Sequence, residues 1–189
     1  MSSADTREKI MSAARATVQA RGYNALSFRD LAAEVGIKSA SVHYHFPTKG
    51  DLGAALARRY TEDGETYLAS LDAHYPDPRS RMQQYTDIFR AALVNDNRMC
   101  LWGIMAAEHE DMPSEVLAEL DRFKALNVSW LENLISVDLT VAKDRKQARQ
   151  RALGIFAAIE GAQLIARSQN DIAVYDYVIE SYRLAGLIP

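Results

Sequence analysis

The apolar residues of this 189-residue chain recur with the period of a helix, and the residues that end helices fall where that period stops. Ile10, Ala13, Ala14, Thr17 and Val18 follow i, i+3, i+4, i+7, i+8, which predicts an amphipathic helix over roughly 5–21 that ends at Gly22. Ser27 is placed to cap a second helix, with Asp30 three residues on as a near-match to a capping box. That helix buries Phe28, Leu31, Ala32 and Val35 and stops at Gly36. Ser39 is placed to cap a third, which must end near Phe46 because Pro47 follows. Thr48 with Asp51 repeats the capping pattern and opens a helix of roughly 48–72. Tyr75-Pro76-Asp77-Pro78 is the clearest break in the chain.

Beyond that break, roughly 79–94, 99–110, 114–135, 144–168 and 171–186 read as helices, with connections near Asn95-Asp96-Asn97, Asp111-Met112-Pro113, Asp138 to Thr140 and Asn170. Strand alternation and repeats of fixed period are absent from the sequence, so the expected fold is all-α with about nine helices. With only 9 glycines and 5 prolines, most of the chain is left to long helices and short connections.

Three broad classes are disfavoured at once. The longest apolar run, Ala152 to Ala166, contains Glu160 and Gln163 and is too short to cross a bilayer. The opening MSSADTREKI lacks the apolar stretch of a secretory signal. One cysteine rules out an intramolecular disulfide framework, and the expected compartment is the cytoplasm.

The net charge of −3 hides a division. Residues 1–60 carry nine Lys/Arg and five Asp/Glu, about +4, which leaves about −7 for the rest. A basic front on an acidic body is the distribution of a DNA-reading domain attached to a regulatory one.

The third helix shows where DNA would be read. At 100° per residue Val42 and Phe46 share an inward face with His45 on its flank, and Ala40, Ser41, His43 and Tyr44 point outwards. Two short helices joined by a turn containing Gly36 match a helix-turn-helix, whose second member enters the major groove. Ala40 and Ser41 let the backbone approach base edges, while His43 and Tyr44 carry donors at a reach suited to phosphates. Lys49, in the first turn of the next helix, adds a charge where exposed amides already favour an anion. Spacing alone leaves a helical hairpin with an exposed polar face as an equal alternative.

Gly22-Tyr23, Ser27-Phe28-Arg29-Asp30-Leu31-Ala32, Val35-Gly36-Ile37 and Ser39 to Leu52 (SASVHYHFPTKGDL) together resemble the tetracycline-repressor (TetR) family of regulators. The resemblance implies a homodimer on a roughly palindromic operator, released when a small-molecule effector binds the C-terminal domain. By position it places Lys38, Ser39, Ala40 and Ser41 at bases or nearby backbone. It places His43, Tyr44, His45 and Lys49 at phosphates or bracing the helix, and Ser27 and Arg29 at the start of helix two against DNA. The chain departs from the usual pattern at Ala40, His43, Pro47, Gly50 and Thr17-Val18. The implied division is a DNA-binding domain over 1–50 and an effector-binding and dimerisation domain over 51–189.

In that family the last two long helices pair across a two-fold axis. Gly154, Ala157, Ala158, Gly161 and Ala162 are small enough for close helix approach, and Leu153, Ile155, Phe156 and Ile159 supply apolar area. Tyr85, Phe89, Trp102, Met105, His109, Phe123 and Trp130 are the candidate effector-cavity residues, although apolar residues at helical spacing do not separate pocket wall from core. Arg98-Met99-Cys100-Leu101-Trp102 resembles a cysteine-containing stretch of some family members, but Met99 and Leu101 favour a buried, inert thiol. No catalytic, metal or cofactor residues are expected. His109 beside Glu108, Glu110 and Asp111 diverges around a helix, and zinc spacing, a phosphate-binding loop and a nucleophile elbow are absent from the sequence. The rival from another class is a helical enzyme or small-molecule carrier whose front helices do not bind DNA.

Overall fold

In a computed structural model that describes residues 3–136 and 145–189, the chain forms α-helices, with no strand among the described residues. They are α1 (Ser3–Arg21), α2 (Phe28–Val35), α3 (Ser39–His45), α4 (Lys49–His74), α5 (Pro78–Val94), α6 (Leu101–Ala107), α7 (Ser114–Ser136), α8 (Arg145–Gln169) and α9 (Ile172–Leu184). The all-α expectation of about nine helices is met. The connection expected at Asp138 to Thr140 lies outside the described residues.

Local chemistry explains most helix ends. Ser27 Oγ accepts from the Asp30 amide at 3.3 Å and opens α2. At the other end Gly36 takes a left-handed φ of 75°, its amide donates to Ala33 O, and Ile37 donates back to Ala32 O. That pairing satisfies the last carbonyls of the helix. Thr48 and Asp51 form a reciprocal box: the Asp51 amide donates to Thr48 Oγ1 at 3.0 Å, and the Thr48 amide donates to Asp51 Oδ2 at 3.0 Å. Asp77 caps α5 through the Ser80 amide at 2.9 Å, with Pro78 at the first helical position, where a missing N–H costs nothing.

Two expectations need correction. Ser39 is the first residue of α3 and not its cap; Lys38 holds the extended cap conformation, with no side-chain capping bond. The helix expected over roughly 99–110 is shorter: α6 stops at Ala107, and a separate 3₁₀ turn covers His109–Asp111. Glu108 lies at the interruption, and its carboxylate accepts from the Asn24 amide at 3.0 Å.

The chain divides into two compact units, one of Met1–Glu62 with Leu101–Phe123, the other of Asp63–Cys100 with Lys124–Pro189. In the first unit, Ile10, Ala14 and Val18 of α1, Leu31 of α2, Val42 of α3, Leu52 and Leu56 of α4 and Leu101 and Met105 of α6 form one buried cluster. In the second, α5, α8 and α9 pack together, with Tyr85, Phe156, Ile159 and Tyr175 buried among them. Two buried polar groups inside this unit are held by backbone bonds. Gln163 receives the Cys100 amide on Oε1 at 2.7 Å and donates to Phe89 O at 2.8 Å, while the Tyr175 hydroxyl donates to Thr86 O at 2.8 Å.

Candidate functional site

In the first unit, α3 presents two opposed faces. Val42 is fully buried and Phe46, which follows the helix, is nearly so, with the Arg7 guanidinium 4.9 Å from the ring centroid. On the other side Lys38, Ser39, Ala40, His43 and Tyr44 are exposed, and Ser41 and His45 are half-buried at the flanks. Tyr44 is 78% exposed, extreme for an aromatic residue in a packed helical unit. A concavity of about 410 Å³ is lined by Lys38, Ala40, Ser41, Tyr44 and His45 together with Ile37, Ser3 and Thr6. Ser3 and Thr6, from the start of α1, escaped sequence reasoning. The signal was two short hydroxyl residues ahead of the first apolar position, where helix capping and ligand contact look alike.

Neighbouring residues brace this face. His43 rests edge-on against Phe28, ring centroids 4.8 Å apart, and its Nδ1 donates to Pro47 O at 3.4 Å. Ser27 is occupied as the α2 cap, and Arg29 is exposed beside Asp30 at 3.5 Å. Lys49, expected to hold phosphate or brace the helix, is half-buried. Its Nζ donates to Asn24 O at 3.3 Å and sits 4.6 Å from the Tyr23 ring centroid. Partial burial lowers its pKa, opposed by the nearby charges of Glu108 and Asp111. Asn24 also donates through Nδ2 to Asp111 Oδ2 at 2.7 Å, so this corner is a polar knot joining the α1–α2 connection, α4 and the segment after α6.

The candidate effector residues are divided between the two units. Tyr85, Phe89 and Trp130 belong to the second unit and touch: Tyr85 meets Phe89 edge-on at 5.3 Å and stacks on Trp130 at 5.1 Å. Trp102, Met105, His109 and Phe123 belong to the first. There Met105 is buried, Phe123 packs on Tyr60 at 4.9 Å, Trp102 Nε1 donates to Leu120 O at 3.0 Å, and His109 is exposed. Close to the Tyr85 cluster lies Glu160, a lone polar residue that the sequence alone leads one to expect satisfied by hydrogen bonds or water. Both of its oxygens are buried with no nitrogen or oxygen partner among the described residues, and the Cys100 thiol is its hydrogen-bonding neighbour. Burial pushes its pKa up to about 7, opposed by the Cys100 thiol. Cys100 itself is buried, as Met99 and Leu101 led one to expect.

On the outer surface of the second unit, Leu153, Leu164 and Ile165 of α8 and Tyr177 and Leu184 of α9 are exposed. Ala157 is exposed, and Gly154, Ala158 and Gly161 are half-buried. Ala162 turns the other way and is buried within its own chain. A Cβ added at Gly154 or Gly161 would meet nothing within 4 Å, so neither glycine is required by packing inside the chain. Among the described residues, no group of three His, Cys, Asp or Glu side chains is arranged to hold a metal ion, and no helix is long and apolar enough to cross a membrane.

Residues 10–56 match the family model described as bacterial regulatory proteins, tetR family. A TetR transcriptional regulator from Legionella pneumophila shares 30% identity over 92% of this chain and 95% of its own, with a TM-score of 0.82. A TetR-family transcriptional regulator from Agrobacterium tumefaciens shares 26% identity over 94% of this chain and 95% of its own, with a TM-score of 0.88. The reduced form of E. coli NemR, at 18% identity over 98% of both chains and a TM-score of 0.81, has the same fold. No curated protein sequence matches. The chain belongs to the TetR family of transcriptional regulators, with an N-terminal helix-turn-helix and a helical C-terminal domain.

Proposed function

We propose that this DNA-binding regulator is a repressor that holds a roughly palindromic operator as a homodimer and lets it go when a small molecule binds. The observation that carries the reading is the outer face of α3: small and polar, exposed, and held rigid from behind by Val42 and Phe46. In this reading residues 1–50 engage DNA. Ser39, Ala40 and Ser41 approach base edges, and Ser27, Arg29, Lys38, His43, Tyr44, His45 and Lys49 hold backbone or brace the helix. Residues 51–189 bind the effector and pair with a second copy. Gly154, Ala157, Ala158 and Gly161 allow close approach on the outer side of α8, and Ala162 fills its inner side. The protein works in the cytoplasm and carries out no reaction of its own.

The test is selection of bound sequences from a random DNA pool, followed by a mobility-shift titration at fixed, stated salt. A symmetric motif with half-sites about one helical turn apart, bound as one dimer, is expected. Binding that ignores sequence at every salt concentration would remove the proposal. A metabolite screen for release of that operator then tests the effector half.

A further inference from the structure

Glu160 lies near the middle of α8 and is 8% exposed, yet neither carboxylate oxygen meets a nitrogen or oxygen hydrogen-bond partner among the described residues, and its one hydrogen-bonding neighbour is the Cys100 thiol, a weak donor. Gln163, one turn further on, shows how the same interior treats a polar group that belongs to the fold, since its amide is used at both ends. Enclosing a carboxyl group with only a weak thiol donor beside it opposes folding, so a group the chain could replace with glutamine or leucine calls for a use.

Its surroundings narrow that use. The Cys100 thiol ahead of α6 acts on Glu160 through a hydrogen bond, and Glu160 in turn acts on the Tyr85 phenol of α5 and the Tyr175 phenol of α9. Burial, reinforced by the charge of Glu160, raises both phenol pKa values above the ordinary value, so both stay neutral around pH 7. Neither hydroxyl is directed to the carboxylate: Tyr85 donates to Asn127 Oδ1 at 2.9 Å and Tyr175 to Thr86 O at 2.8 Å. No positively charged group appears among those acting on Glu160. Next to it, Tyr85 carries its edge contact to Phe89 and its stack on Trp130. One carboxyl group that can ionise against a cation, beside aromatic rings in an enclosed interior, suits a positive charge borne on an apolar body. A bare metal ion would want several further oxygen ligands, and an anion would be repelled.

We propose that Glu160, with the ring cluster of Tyr85, Phe89 and Trp130, is the recognition site for an organic cation, an amine or quaternary ammonium on an apolar frame. The proposal rests on reading the C-terminal domain as the effector-binding one. It names the effector's chemical class.

The test uses the full chain with benzyltrimethylammonium and 2-phenylethylamine as probes, and phenylacetate and propylbenzene as anionic and neutral counterparts. Calorimetry should show the cations binding at least about tenfold more tightly than the counterparts. Glu160→Gln keeps the shape and removes the charge, so it should lower cation affinity about tenfold or more while leaving propylbenzene unaffected. On the wild type at about pH 6.5, cation binding should release a proton, read from the dependence of the binding heat on buffer ionisation enthalpy. Cations bound equally by Glu160→Gln, equal binding of all four probes, or no cation binding to the wild type would each overturn the proposal. If the variant does not fold, binding without proton release overturns it. Operator release is measured separately. Cations that bind through Glu160 and leave the operator bound support this site and count against ligand-induced release. Release by a neutral metabolite, with no cation bound, keeps the repressor and removes this inference.

Discussion

Tyr44 and Phe46 are two residues apart and do opposite work. Phe46 is 2% exposed and carries the Arg7 guanidinium on its ring, so Phe46→Ala should cost roughly 3–5 kcal/mol in chemical denaturation, as buried aromatic truncations do. Tyr44→Ala should leave stability within about 0.5 kcal/mol and weaken operator binding instead. Ser41, half-buried beside the concavity, should act through sequence. Ser41→Ala is expected to change preference at one or two base pairs by roughly 1–3 kcal/mol, where Lys38→Ala weakens all sequences alike. Equal losses on every sequence for both variants would contradict this division. Glu160 adds a pH effect whose sign is fixed. An acid whose folded pKa is raised stabilises the fold below its unfolded value, and that contribution disappears as pH rises through the folded one. With 4.5 as the ordinary value and about 7 in the fold, on the order of 3 kcal/mol is lost between about pH 4.5 and pH 7. Glu160→Gln should therefore match the wild type in urea unfolding near pH 5 and exceed it near pH 8.

Among the elements, the helix ends that the sequence made legible are those written in local chemistry. Ser27 with Asp30, Gly36, Thr48 with Asp51 and Asp77-Pro78 all act within about five residues of themselves, so their spacing was enough to place α2, α4 and α5. The break between α6 and the 3₁₀ turn at His109–Asp111 was not legible. At that break Glu108 is bonded to the Asn24 amide, 84 residues away in sequence, a contact that no local pattern encodes. Gly22 belongs to the same knot. A Cβ there would lie 2.0 Å from Glu108 Oε1, and its φ of 88° suits glycine. Gly36 separates the conformational cost from the steric one, since it has φ 75° with nothing within 4 Å of an added Cβ. Gly36→Ala should then destabilise by about 1 kcal/mol from backbone strain alone, and Gly22→Ala by clearly more. Paired thermal melts of the two variants would measure the difference. Equal losses would mean that the Glu108 side chain moves aside freely. The same knot explains Lys49: the sequence marked it as an available charge, and only tertiary contacts reveal its bond to Asn24 O.

For the whole molecule, two features lay beyond one-dimensional reading. The first is the composition of the compact units, because Leu101–Phe123 joins the N-terminal helices through apolar residues such as Leu101, Met105 and Val116 that have no local signature. The second is the direction each small residue of α8 faces. Small size grouped Ala162 with Gly161, yet one is buried in its own chain and the other is half-buried and open to an added Cβ. The exposed set on α8 and α9 then becomes an argument about assembly. Leu153, Leu164 and Ile165, with Tyr177 and Leu184 across on α9, expose more large apolar side chain on one pair of packed helices than a solvated surface favours. A second copy related by a two-fold axis would cover them and would leave two α3 helices to meet two half-sites of one operator. Because the axis repeats every residue, a charge placed at one position enters the interface twice. Leu164→Arg should therefore shift the mass in light scattering from dimer to monomer at micromolar concentration, with the helical circular-dichroism signal retained. Operator affinity should fall by well over tenfold, since each monomer keeps only one half-site's contacts. A variant that stays dimeric, or a monomer that still binds the full operator tightly, would place the partner-binding face elsewhere on the chain.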